Sequence, residues 1–280
     1  MTLPQAGGSA ARQLEDAAHE VAPWIVLLAR IGFLAKALLY GTVGVLAARV
    51  ALGDGGRTTD LGGALREVVR APLGNAMLFV IAAGLAGYAV WRVVDAVTDA
   101  EGRGGGLKGI AGRVGSALRG LAHAALAVAA FRLATGTGDG GGQGSEELAA
   151  RALNLPGGQL LVWLAAAAVL GAGLYQLYRA YAAKLGRQLN LGGLPAGTYR
   201  WVIALSRFGI AARGIVFGLI GVLLARAASG RDPQQAGGTD ESLQMIAGMG
   251  RWPLAVVAIG LVAYALYEVL NARYRRIRVT

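Results

Sequence analysis

Cationic side chains recur three times at one spacing: Arg30-Gly32-Lys36-Arg49, Arg113-Gly115-Arg119-Arg132 and Arg207-Gly209-Arg213-Arg226. Each set lies on an otherwise apolar stretch, where a fixed positive charge has one evident chemistry, holding an anion or an anionic lipid headgroup. Helix rise puts Arg30 and Arg49 ~28 Å apart, about the thickness of a bilayer's hydrocarbon core, so they read as anchors at opposite interfaces. The outer residues Arg49, Arg132 and Arg226 each have an acid soon after (Asp54, Asp139, Asp232), and interfacial ion pairs are expected there. Lys36 falls ~9 Å inward of Arg30, and Arg119 and Arg213 share its depth. Two readings fit these three. Their side chains tilt toward the helix N-terminus and can snorkel to headgroups, or they form a basic ring facing the bundle axis. Depth alone leans toward snorkelling.

A second series closes each unit: Gly84-Tyr88-Trp91-Arg92, Gly171-Tyr175-Tyr178-Arg179 and Gly260-Tyr264-Tyr267-Glu268. Arg92 and Arg179 reach the level of the inner basic residues, while the third copy carries Glu268. The other break in symmetry is His123, where the sister units have Tyr40 and Phe217; it shares a helix face with Arg119. Drift explains both departures as readily as a substrate site does. The aromatic residues read as an interfacial belt. Thr42, Asn75, Ser116 and Gln176 are unrepeated and make poor candidates for a path.

Several chemistries are excluded or unsupported. The chain has no cysteine, hence no disulfide, thiolate metal site or thiol nucleophile, and two histidines are too few for a histidine metal cluster. No phosphate-cradling loop, zinc-protease motif or serine elbow occurs. Glu268 with His123 is the one acid–base pair to nominate, so no enzymatic activity and no cofactor are expected.

Three repeated units must position these residues. The chain is 55% hydrophobic with 15% charged residues, and several runs approach the ~20 apolar residues of a membrane span. Within each unit a Gly-rich loop follows the first span. A short polar-capped segment comes next, at Thr59-Asp60-Leu61, Ser145-Glu146-Glu147-Leu148 and Thr239-Asp240-Glu241-Ser242-Leu243. Then Pro72, Pro156 or Pro253 leads into the second span. The expected fold is an all-α integral membrane protein: six transmembrane helices as three parallel two-helix repeats with pseudo-threefold symmetry about the membrane normal. Its parts are a polar segment over residues 1–23 and repeats over 24–102, 103–190 and 191–280. The acidic start is not a cleaved leader.

The termini and inter-unit linkers carry 18 of the 27 basic residues and 7 of the 16 acids. The positive-inside rule therefore puts both termini in the cytoplasm of a bacterial plasma (inner) membrane. Nucleic acid is not an expected partner; anionic lipids are.

R-x-G-x(3)-[KR] opening each odd span and G-x(3)-Y-x(2)-[WY] closing each even one resemble the bacterial membrane family catalogued as domain of unknown function 1206. That resemblance covers about Trp24 to Arg278 and implies three copies of a two-helix unit, with no activity attached. Mitochondrial-type carriers share the three-repeat plan, but their P-x-[DE]-x-x-[KR] signature has no counterpart here. The functional expectation is an anionic ligand or lipid headgroup bound at the cytoplasmic mouth by Lys36, Arg119 and Arg213, with Arg92 and Arg179, possible transport being open. The alternative is a structural membrane protein whose basic residues set topology.

Overall fold

A computed structural model describes residues 7–99, 104–138, 144–182, 185, 189, 191–193 and 195–275, with side chains from Val26 onward. The described elements are helical. Six long helices are apolar enough to cross a membrane: α1 (Gly7–Leu52, apolar from Val26), α3 (Gly74–Thr98), α4 (Leu107–Ala134), α6 (Gly158–Ala182), α7 (Ala196–Gly230) and α9 (Arg251–Tyr274). Between the paired spans lie the short helices α2 (Leu61–Arg70), α5 (Ser145–Leu153) and α8 (Thr239–Gly248), with a 3-10 turn at Pro233–Gln235. Six spans in three units are thus as the sequence predicts.

The short helices form for local reasons. The Asp60 side chain accepts the Gly63 amide at 2.7 Å and caps α2. Glu241 accepts the Gly238 amide at 2.7 Å at the start of α8. Ser145 and Thr239 are first helical residues instead of caps; Gly144 and Gly238 hold the cap positions. Before each even span the backbone turns through positive φ, at Leu73 (60°), Gly157 (72°) and Gly250 (123°). Glycine takes that conformation freely, whereas Leu73 is strained in it.

The spans pack in the order α4, α3, α1, α9, α7, α6. In that order each even helix packs on the next unit's odd helix, the third unit's on the first. Units one and three also pack their own pairs, α1 on α3 and α7 on α9. The second unit's own pair, α4 and α6, has no comparable packing among the described residues.

The contacts of the repeated glycines differ in the same way. A Cβ on Gly32 would lie 2.5 Å from the Gly84 carbonyl oxygen, and one on Gly84 would lie 2.7 Å from Ile31. Gly209 and Gly260 are likewise pressed against α9 and α7. Their second-unit equivalents are open. A Cβ on Gly171 would meet nothing within 4 Å, and one on Gly115 only the Arg119 guanidinium of its own helix. Tyr88 and Tyr264 are buried at 2% and 4% exposure, whereas Tyr175 is 58% exposed.

Elements outside the spans pack on both sides of the bundle. On the hairpin side α2 packs on α1, α3 and α4, while α8 packs on α7 and α9. Leu65, Leu243 and Ile246 seal those contacts, and the Thr58 hydroxyl donates to Asp240 across units one and three. On the terminal side, Leu185, Leu189 and Leu191 of the linker between units two and three are buried in the same apolar cluster as Tyr264 and Tyr267. Leu189 also forms a β-bridge with Arg275.

Candidate functional site

A polar network occupies the interior at the level of the inner basic residues. Lys36 on α1 is buried, and its Nζ donates to Glu268 Oε1 on α9 at 2.8 Å. The ammonium also sits 4.8 Å from the Tyr88 ring centre and 5.5 Å from that of Phe33. Glu268 Oε2 is the buried side-chain oxygen without a hydrogen-bond partner among the described residues. Tyr264 and Arg213 lie within electrostatic reach of that carboxylate. Snorkelling is therefore corrected for Lys36, because an acid on the neighbouring helix offers a partner inside the bundle.

On the α3–α4 side, Arg92 is buried and donates from Nε to the Tyr88 hydroxyl at 2.9 Å. Its guanidinium also faces Asp95 at 3.5 Å and the Trp91 ring at 4.3 Å. Ser116 on α4 donates to Asp95 at 2.6 Å, and Arg119 donates to Ser116 at 3.1 Å. Arg119 itself is exposed. His123 is buried, with Nδ1 2.7 Å from the Arg119 carbonyl oxygen and its ring 4.7 Å from that of Tyr88.

On the α6–α7 side, Arg213 is half-buried and donates from Nε to the Tyr40 hydroxyl at 2.9 Å. It also donates to the Gln176 side-chain oxygen at 2.7 Å. Three aromatic rings face the guanidinium, Phe217 at 4.3 Å, Tyr264 at 5.0 Å and Tyr40 at 5.3 Å. Its Tyr40 bond crosses the interior, since α1 and α7 are not packed neighbours. Arg179 is half-buried beside this group and donates to Tyr267 at 3.4 Å.

Lys36, Arg92, His123, Arg213 and Glu268 thus converge, with Arg179 adjacent and Arg119 at the periphery. The three inner basic residues do not behave alike: Lys36 is buried, Arg213 half-buried and Arg119 exposed. Of four partners, the sequence reading missed Asp95, set Ser116 and Gln176 aside as unrepeated, and gave Tyr40 no role. Asp95 lies three residues after Arg92, Ser116 three before Arg119, and Gln176 three before Arg179, all one helix turn from a basic residue. Tyr40 was legible only as the counterpart of His123. The aromatic belt is corrected for Tyr88, Trp91, Tyr264 and Tyr267, which are buried, while Tyr175 and Tyr178 are exposed. The outer ion pairs are corrected as well. Among the described residues neither Arg49 with Asp54 nor Arg226 with Asp232 forms one, and Asp232 caps the 3-10 turn through the Gln234 amide at 3.0 Å. Asp139 lies outside the described residues.

The glycine and aromatic positions recur once in each two-helix unit of the sequence, and the family model described as Domain of Unknown Function (DUF1206) matches residues 31–99, 114–183 and 208–275. The chain belongs to the DUF1206 family. Each match covers one span pair, so the family unit is the two-helix repeat and this protein is a DUF1206 triplet. It is 31% identical over 266 residues to "Uncharacterized protein YxxB" of Bacillus subtilis (strain 168), covering 94% of this chain and 96% of the relative. No solved structure matches it.

Proposed function

We propose that this protein is a non-enzymatic membrane protein of the bacterial plasma (inner) membrane, both termini cytoplasmic, that binds an anionic ligand at the centre organised around Arg213. The carrying observation is the state of that guanidinium. Lys36 has Glu268 and Arg92 has Asp95, but the hydrogen-bonding partners of Arg213 are a phenol and an amide oxygen, both neutral, and Glu268, within its electrostatic reach, is paired with Lys36. A half-buried cation among neutral acceptors favours an arriving anion, because charge-assisted hydrogen bonds to it gain strength where water is scarce. Lys36 and Arg92 are balanced by Glu268 and Asp95, and Arg179 stands beside the centre on α6.

The expected cytoplasmic mouth is modified in one respect: Leu185, Leu189 and Leu191 of the linker are buried on the terminal side, which supports a ligand centre inward of them. Titration of the detergent-purified protein with dihexanoyl phosphatidylglycerol tests the reading. Arg213→Gln is expected to weaken binding about tenfold or more, the worth of one charge-assisted hydrogen bond. Equal affinities for wild type and variant overturn it. Transport would additionally require anion flux in proteoliposomes that Arg213→Gln abolishes.

A second reading, a structural protein with no ligand, is favoured by the internal pairing of Lys36 with Glu268 and of Arg92 with Asp95. It predicts no binding in that titration.

A further inference from the structure

We propose that the ligand is an anionic glycerophospholipid with a hydroxyl-bearing headgroup, which reaches the Arg213 centre sideways through the open seam between α4 and α6. This rests on the anion-binding reading above and adds the ligand's class and its route.

The route follows from which sides of the bundle are closed. The short helices pack against the spans on the hairpin side, and Leu185, Leu189 and Leu191 of the linker are buried on the terminal side. Units one and three seal their own helix pairs glycine against backbone. Unit two repeats the same glycines at 115 and 171, yet nothing from the opposite helix meets them. Leu118, Leu174 and Tyr175, the seam's neighbours to these glycines, are all more than half exposed. A small-residue seam of this kind, opening on hydrocarbon, admits an acyl chain. Basic residues stand on both of its helices at the terminal end, Arg119 on α4 and Arg179 on α6, which complements a phosphate drawn inward from the headgroup layer.

The headgroup follows from two unmet needs inside. Arg213 makes no ion pair, and Glu268 Oε2, on a residue 2% exposed, makes no hydrogen bond of normal geometry, although the Tyr264 hydroxyl lies beside that carboxylate. A buried oxygen of this kind without a hydrogen bond is costly. The two groups are within electrostatic reach of one another, so one headgroup can serve both, its phosphate on Arg213 and a donor on Oε2. Charge then selects the donor. Lys36 with Glu268 and Arg92 with Asp95 cancel, leaving Arg213 positive; a phosphate neutralises it. A hydroxyl donor preserves that neutrality, whereas an ammonium would restore a buried charge. Phosphatidylglycerol has the required chemistry, and phosphatidylethanolamine does not.

The test measures phospholipid retained by purified wild type, Gly171→Trp, Gly171→Ala and Arg213→Gln, by quantitative mass spectrometry. Tryptophan at 171 adds bulk to the seam where a Cβ would meet nothing within 4 Å, and thermal melting checks that each variant is folded. Both Gly171→Trp and Arg213→Gln are expected to lose phosphatidylglycerol about tenfold, and Gly171→Ala to keep it. Loss in Arg213→Gln with full retention in folded Gly171→Trp overturns the seam while leaving the anion site standing. Full retention in both overturns the site as well. Two further arms identify the source and the headgroup. Glycerol 1-phosphate binding delipidated protein as tightly as dihexanoyl phosphatidylglycerol overturns the lipid, and equal retention of the ethanolamine lipid overturns the hydroxyl assignment.

Discussion

Replacing Glu268 by Gln removes the charge opposite Lys36 while keeping the side chain's shape. The ion pair is 2.8 Å long, with side-chain exposures of 7% and 2%. At that distance Coulomb attraction at an effective dielectric of ~20 is about 6 kcal/mol, against which stands the desolvation of both ions. The pair's net worth is therefore small, but orphaning one partner is not: an uncompensated buried charge typically costs about 3–5 kcal/mol. The amide oxygen of Gln still accepts from Lys36, which puts Glu268→Gln at the lower end, about 3 kcal/mol. In a chain of this size that lowers Tm by about 6–12 °C. Lys36→Met in the Glu268→Gln background removes the stranded ammonium and is expected to restore most of the loss, a coupling of about 2 kcal/mol or more in a double-mutant cycle. Thermal unfolding of the four proteins in one detergent supplies the cycle. A Glu268→Gln penalty below about 1 kcal/mol, with no coupling, would refute the reasoning, because it would mean that Lys36 reaches water or headgroups on its own.

Two further expectations concern the backbone. Gly32→Ala should destabilise by about 1–3 kcal/mol, since its Cβ would overlap the Gly84 carbonyl oxygen, while Gly171→Ala should be neutral or slightly stabilising, there being nothing within 4 Å. Equal effects in a melting assay would mean that the second unit is closed like the others. Leu73→Gly relieves a left-handed residue (φ 60°) at a position where the sister units already have glycine, and should stabilise by about 1 kcal/mol. A lowered Tm in that variant would show that the exposed leucine side chain matters more than the strain.

Much of the architecture was legible because hydrophobic length and repetition are one-dimensional properties. Six spans, three short connecting helices and the depth of Lys36, Arg119 and Arg213 all follow from counting along the chain. What counting leaves out is azimuth. Lys36 and Arg119 share a depth, but Lys36 faces an acid on α9 and Arg119 faces outward, which no single-helix property determines. Symmetry also misled. Searching for repeated residues drew attention to the arginines and tyrosines and away from Asp95, Ser116 and Gln176, whose value lies in being unrepeated. Each of the three interfaces between units answers the same crowding of cations differently: Glu268 replaces an arginine, Asp95 with Ser116 compensates one, and Gln176 offers Arg213 only a neutral oxygen. The two symmetry breaks noted in the sequence, Glu268 and His123, both lie in this interior. The open seam was invisible for the same reason, since Gly115 and Gly171 match their counterparts as letters but not as contacts.

The central claim is that the positive charge of Arg213 holds an anionic ligand inside the bundle. Native mass spectrometry of the protein extracted directly from its own membranes tests this most directly, by weighing what stays bound as detergent is stripped away. A wild-type species carrying the mass of an anionic phospholipid, absent in folded Arg213→Gln, is the predicted result. Identical spectra for the two proteins, both bare or both equally loaded, would contradict it.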